Sequence, residues 1–202
     1  FCERMRATGH KVLAAAPEDP LDRAEGLRYV ARLARGFLRD LVADAQPARV
    51  PFVPGEWLKI GLDNPDYVYF SPKLDAGGRY VLRGELADAA RIGFGIYSGA
   101  LGTPTGLVCD GYLDSAELSL DGRGRFEIPI GRDEEPGKGL RMGPATNALN
   151  ARITLLRRAE QRLPELELVR LDPADKPPPL DPAASARGLD RVGLVLDGTV
   201  GQ

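Results

Sequence analysis

The chain has 202 residues, enough for one large domain or for a domain with helical extensions. Its 27 basic and 29 acidic residues leave a formal net charge of -2, with 43% hydrophobic and 28% charged residues. That balance lacks the basic excess with which nucleic-acid binders meet phosphates, and no apolar run approaches the ~18–20 residues that span a bilayer, so neither partner is expected.

No signal-peptide pattern opens the chain, and its cysteines, Cys2 and Cys109, lie far apart. This usage fits a reducing compartment and a cytoplasmic protein. Cys109 ends the apolar run Gly106-Leu107-Val108-Cys109 and is expected as a buried thiol.

In chain order, Phe1, Met5, Thr8 and Val12 fall at helical spacing, and Pro17-Glu18-Asp19-Pro20 ends that first helix. Asp19 is a good N-cap and Pro20 suits the first helical position. From there to about Ala45, Leu27, Val30, Ala34, Phe37, Leu38 and Leu41 form one face of a long amphipathic helix, expected to face the sheet. Arg28, Arg32, Arg35 and Arg39 run along its flank and read as a solvated stripe.

Pro47, Pro51 and Pro54 rule out a continuing helix. Short β-type runs follow near Tyr67–Ser71, Arg79–Glu85, Ile92–Tyr97, Gly106–Tyr112, Ala116–Leu120, Arg125–Ile130, Ala151–Arg157 and Leu166–Leu171. Asp75-Ala76-Gly77-Gly78 and Asp121-Gly122-Arg123-Gly124 supply tight turns. Strands in series without intervening helices predict a mostly β fold with flanking helices: an antiparallel β-sandwich or partly closed barrel behind a long amphipathic helix.

Gly131–Pro144 reads as a long loop and Asp172–Pro182 as a proline-rich linker. Asp181-Pro182 then repeats the helix-start signal, and Leu189, Val192, Leu196 and Val200 mark an apolar face that must dock on the sheet, or on a segment or subunit beyond this chain. The expected organisation is a helical segment over 1–46, an antiparallel β domain over 47–172, and a linker with a C-terminal helix over 173–202. A start at Phe1 and an end inside a helical pattern read as part of something longer.

Polar chemistry concentrates in the run from Trp57 to Ser71, which contains Asp63-Asn64-Pro65-Asp66-Tyr67-Val68-Tyr69. Asn64-Pro65 favours a turn that sets the carboxylates of Asp63 and Asp66 near one another. Alternation along the following strand places Tyr67, Tyr69 and Ser71 on one face. Trp57, Asn64, Tyr67, Tyr69, Tyr97 and Arg152 are the candidate ligand-binding residues, and Asp63 and Asp66 the candidate catalytic pair. The competing reading of the turn is structural, its Asp and Asn side chains capping backbone N–H groups. For Arg152 the competing reading is an Arg–Asp pair that holds the sheet.

The stretch from Asp19 to about Pro182 resembles a bacterial family known as domain of unknown function twelve-fourteen. The matching residues are Asp22-Arg23-Ala24-Glu25-Gly26 with Tyr29, Lys59-Ile60-Gly61, Asp63-Asn64-Pro65-Asp66, Gly84, Gly93-Phe94, Gly111-Tyr112-Leu113-Asp114, Glu117-Leu118, Phe126-Glu127-Ile128 and Arg152. The resemblance implies a β-sandwich that forms the first half of a longer, two-part protein. It also implies an aspartate of the 63–66 turn as the partner of Arg152. Family members often carry an Asn-Trp where this chain has Gly137-Lys138-Gly139-Leu140, so a pocket built on that Trp would be altered here.

Other chemistries have less support. His10 is the single histidine, read as a surface residue at the end of a short helix, and one His with two remote Cys does not make a zinc set; no metal or cofactor is expected. Asp63, Asp66, Asp110 and Asp114 are oxygen donors that would suit a hard cation if they converged. Tyr97 and Tyr112 are candidate pocket walls. The leading function is therefore a small-molecule-binding domain. The alternatives are an enzyme acting on a lipid-like or glycosidic substrate by carboxylate acid–base chemistry, and a structural assembly domain that meets a C-terminal partner domain, or a second copy, through the 183–202 helix.

Overall fold

The computed structural model describes residues 1–43, 64–100, 103–135, 137–172 and 181–201. Asp19 and Asp181 open helices as their sequence demands. Their carboxylates accept from the backbone N–H groups of Leu21 and Asp22, and of Ala183 and Ala184. The proline that follows each has no N–H to leave orphaned. The results are α2 (Pro20–Leu38), which widens into a π-helical turn at Arg39–Ala43, and α3 (Pro182–Val200). Ahead of both runs α1 (Cys2–Ala15), with exposed His10 inside it rather than at its end.

The apolar face of α2 is not turned to the sheet. Val30, Leu33, Ala34 and Phe37 of α2 pack with Val192, Val195 and Leu196 of α3, and Phe1 and Val12 lie against the same cluster. Two stripes of helical period complement each other better than either complements a pleated surface. The segment onto which the C-terminal helix docks is therefore in this chain. Asp197 of α3 fastens α1, accepting from Lys11 Nζ at 2.6 Å and from Thr8 Oγ1 at 3.3 Å. Arg28, Arg32 and Arg35 lie on the exposed flank, Arg28 beside Glu25.

Two four-stranded sheets make the body. The first has the order β1-β7-β3-β4, from β1 (Tyr67–Phe70), β7 (Thr146–Thr154), β3 (Arg91–Gly99) and β4 (Leu107–Asp114), all antiparallel. The second has the order β6-β5-β2-β8, from β6 (Leu140–Arg141), β5 (Arg125–Gly131), β2 (Tyr80–Glu85) and β8 (Leu166–Arg170). Neither sheet closes on itself, so the barrel alternative is not the fold.

Alternate residues of both sheets meet in one core. Ile92, Phe94, Ile96, Leu149 and Ile153 come from the first sheet, and Leu82, Phe126, Ile128 and Ile130 from the second. Phe94 and Phe126 meet across it with ring centroids 5.4 Å apart.

Four expectations need correction. The strand placed at Ala116–Leu120 is replaced by a 3₁₀ turn, Ser115–Glu117. Asp114 and Glu117 form a capping box there, and local hydrogen bonding of that kind outcompetes a strand. Within the supposed loop 131–144, β6 pairs in parallel with β5 through Ile130↔Leu140, because Leu140 and Met142 are apolar enough to be drawn into the core. The second sheet is therefore mixed rather than purely antiparallel. β7 begins at Thr146, five residues before the expected start, since Asn147 and Asn150 conceal its alternation. Cys109 is exposed, and both cysteines are free thiols; β4 is the edge strand, and a bulge at Ile96/Tyr97 brings Cys109 opposite Tyr97.

Candidate ligand-binding face

Alternation on the first sheet sends Ile92, Phe94 and Ile96 of β3 into the core, leaving Arg91, Gly93, Gly95 and Tyr97 on the outer face. Register carries that face across all four strands. One row runs Tyr69, Arg152, Gly93, Asp114; on one side lie Thr154 and Tyr67 with Arg91, and on the other Asn150, Gly95 and Tyr112.

The two glycines decide what this face becomes. A Cβ at Gly93 would lie 2.2 Å from the Tyr112 Oη, and one at Gly95 would lie 2.6 Å from the Tyr97 ring. Without side chains on β3, Tyr112 leans from the edge strand across its neighbour, and Tyr97 folds back onto the sheet.

Arg152 stands at the centre. Its guanidinium lies over the Tyr67 ring, 5.2 Å from the centroid, and Tyr67 meets Tyr69 edge to face at 6.1 Å and 88°. Partial burial works against its charge, but the Tyr112 hydroxyl and the neighbouring Tyr67 and Tyr69 outweigh it and hold the pKa above the ordinary arginine value. Among the described residues no carboxylate forms an ion pair with Arg152. The sheet-holding Arg–Asp pair is therefore not formed with any of them. Burial also pushes the Tyr97 hydroxyl pKa up.

The second guanidinium of the face is different. Arg91 Nε donates to Asp114 Oδ2 at 2.5 Å. Asp114 also accepts from Ala116 N at 3.0 Å, and Tyr112 Oη stands 3.5 Å away. Burial raises the Asp114 carboxyl, but the Ala116 amide and Arg91 more than offset it, so its pKa falls below the ordinary value. A hollow of about 600 Å³ opens beside Arg91 and Asp114, walled by Leu118 and Leu120.

The turn before β1 is structural where it is described. Asn64 Oδ1 accepts from Asp66 N at 2.9 Å, and the Asp66 carbonyl accepts from Leu155 N at 2.8 Å, so this turn anchors β1 to β7. The Asp66 side chain is exposed, without the desolvated surround that suits a general acid. Trp57 and Asp63 lie outside the described residues, as does Lys59-Ile60-Gly61.

The oxygen donors considered for a cation are otherwise engaged. Asp110 accepts from Thr146 Oγ1 at 2.6 Å and from Ser98 Oγ at 3.1 Å, while Asp114 serves its turn and Arg91. No group of three or more metal-ligating side chains occurs among the described residues.

Of the expected ligand residues, Tyr67, Tyr69, Tyr97 and Arg152 thus share one face, with Asn64 at its border. Arg91 and the two glycines were not singled out as part of a site, and Asp114 was named only as an oxygen donor for a cation. Their signal is the run Arg91-Ile92-Gly93-Phe94-Gly95-Ile96-Tyr97, bulky on every inward position and bare on two outward ones.

No protein-family model matches the chain, and no curated protein matches it. It is similar to the crystal structure of an uncharacterised protein from Burkholderia cenocepacia, with 35% identity and a TM-score of 0.89. That likeness covers 99% of this chain and 56% of the Burkholderia chain, so this chain spans little more than half the length of its relative. A protein from Vibrio parahaemolyticus is a more distant likeness, with 17% identity, a TM-score of 0.44, and coverage of 73% of this chain and 44% of that one. The mostly β architecture with helices is shared with the Burkholderia protein, and no helix among the described residues is long and apolar enough to cross a membrane.

Proposed function

We propose that this chain is a ligand-binding unit of a longer bacterial protein, and that the outer face of the first sheet is where a small organic molecule is held. One observation carries the reading: Arg152 is poised among Tyr67, Tyr69, Tyr97 and Tyr112, with an exposed guanidinium and no carboxylate partner among the described residues. Structural arginines on sheets are normally matched by an acid or stacked away from water. Here the donors that remain face solvent between rings that supply apolar contact, the pairing of one charged group with aromatic walls found in recognition sites.

The length of the Burkholderia relative supports the two-part organisation, and the cytoplasmic placement and the family resemblance belong to the same proposal. The direct experiment is a screen of small acidic and neutral organic molecules against the full chain by two-dimensional NMR. Shifts concentrated on residues 67–70, 91–97, 110–114 and 150–154, abolished in Arg152→Met, are the expected result. Hits that map elsewhere, or that persist unchanged in the variant, overturn the reading.

A further inference from the structure

We infer that the ligand of this face is an extended saccharide carrying carboxylates, of the uronic-acid type, an inference that rests on the ligand-binding reading above. The shape of the face comes first. Tyr69 and Tyr112 are 38% and 45% exposed and Arg152 is exposed beside them, on a four-stranded surface rather than in a cleft. A single compact molecule lying there would meet only part of this row and gain only part of the contact it offers. A chain of sugar rings can cover Tyr69, Arg152 and Tyr112 in succession and add contacts with each unit. Its end has a place to seat in the hollow that shares Arg91 and Asp114 with this face.

Composition comes next. Around Arg152 the large side chains are tyrosines, with Asn150 and Thr154 between them and Ala148 and Cys109 beside Tyr97; leucines enter only in the adjoining hollow. Tyrosine and arginine also recur in protein–protein interfaces, but here hydroxyl and amide groups, not aliphatic side chains, lie beside them in these rows. Phenol rings instead give a flat carbon surface to the C–H faces of a pyranose, and their hydroxyls, with Asn150 and Thr154, match its equatorial hydroxyl groups.

Charge completes the assignment. Asp114 neutralises Arg91, so the described residues of these rows leave one net positive charge, at Arg152. A single guanidinium fork fits a monoanionic carboxylate in bidentate fashion; a phosphate dianion would call for more than one cation.

The test is calorimetric titration of the full chain with a trisaccharide of galacturonic acid, a neutral trisaccharide of galactose, and a glutamate-rich peptide. The acidic sugar should bind, the neutral sugar about tenfold or more weaker, and the peptide not at all. Arg152→Met should remove the preference for the acidic sugar, costing about tenfold to a hundredfold in affinity, as loss of a charge-assisted hydrogen bond does. Tyr69→Ala should weaken both sugars together. Arg83→Met, on the opposite sheet, should change neither and serves as the folding control. Equal binding of both sugars overturns the uronic-acid assignment, and binding of the peptide alone overturns the saccharide assignment, either outcome leaving a ligand-binding face. If none of the three binds and Arg152→Met also leaves the small-molecule shifts untouched, both readings fall.

Discussion

The outer faces of the two sheets both carry arginines, yet they use them in opposite ways. On and beside the second sheet the charges are matched: Arg83 pairs across strands with Glu127 at 2.7 Å, Arg125 with Asp121 of the preceding turn at 2.7 Å, and Arg162 with Glu85 at 3.2 Å. All of these but Arg162 line an open hollow of about 760 Å³, larger than the one beside Arg91 and Asp114, but its cations already face carboxylates. On the first sheet Arg152 is surrounded by phenol rings, with no acid against it among the described residues. The lesson is that depth alone does not mark a site. A charge held in place without its counterion is the more informative feature, because folding alone does not call for it.

The largest effect that should separate the two sheets comes from their glycines. Gly84 lies in β2, where an added Cβ would come within 2.8 Å of the Glu165 carbonyl oxygen and 2.6 Å of Leu166. Backbone cannot step aside, so Gly84→Ala should destabilise the protein by about 1–3 kcal/mol in urea unfolding, with the ligand face unaltered once folded. At Gly93 the obstructing atom is the far end of Tyr112, an exposed and movable side chain. Gly93→Ala should cost less than about 1 kcal/mol, yet displace Tyr112 from Arg152 and abolish binding on this face. If both variants behaved alike, the claim that one glycine serves packing and the other serves a site would fail.

A smaller contrast lies in the arginines themselves. Arg83→Met loses an exposed ion pair and Arg152→Met an exposed contact with the Tyr67 ring, so each should cost under about 1 kcal/mol of stability. Only Arg152→Met should change the NMR response to added ligand. A large stability loss from Arg152→Met would return that residue to a structural role.

How much of this was legible beforehand follows from the range of the forces involved. The helix starts at Asp19 and Asp181 were readable because caps are local: carboxylate, amides and proline lie within four residues. The strands from Tyr67, Tyr80, Arg91 and Arg125 were readable because alternation and turn residues are local too. The mutual packing of α2 and α3 was not, since nothing in either stripe tells whether it meets a helix or a sheet. The site was half legible. Tyr67, Tyr69 and Arg152 were named from residue type, but their arrangement with Arg91, Gly93, Tyr112 and Asp114 depends on the order β1-β7-β3-β4, which joins segments some eighty residues apart. The carboxylate pair at the 63–66 turn drew attention by density of polar groups, and what the described half of that turn does is hold β1 to β7.

The finest distinction between the faces should appear in acid. Asp121, in the turn that leads into β5 of the second sheet, accepts from the Arg125 amide at 3.0 Å, from Arg125 Nε at 2.7 Å and from the Arg123 amide at 2.8 Å. In that order of strength these bonds draw its pKa down from 3.8 to about 2. A carboxyl whose folded pKa is depressed adds stability that is fully present above its unfolded pKa and is lost as pH falls through the folded value. The Asp121 contribution should therefore be complete above about pH 4 and fade between there and about pH 2. Asp121→Asn should remove that part of the acid slope, so that wild-type and variant stabilities converge toward pH 2 in urea titrations at fixed pH. Because Arg152 has no carboxylate partner among the described residues, Arg152→Met should leave the slope in the same window unchanged. A steeper or shallower acid limb in Arg152→Met would reveal an acid acting on that guanidinium, and the ligand-binding reading would lose the unmatched charge on which it stands.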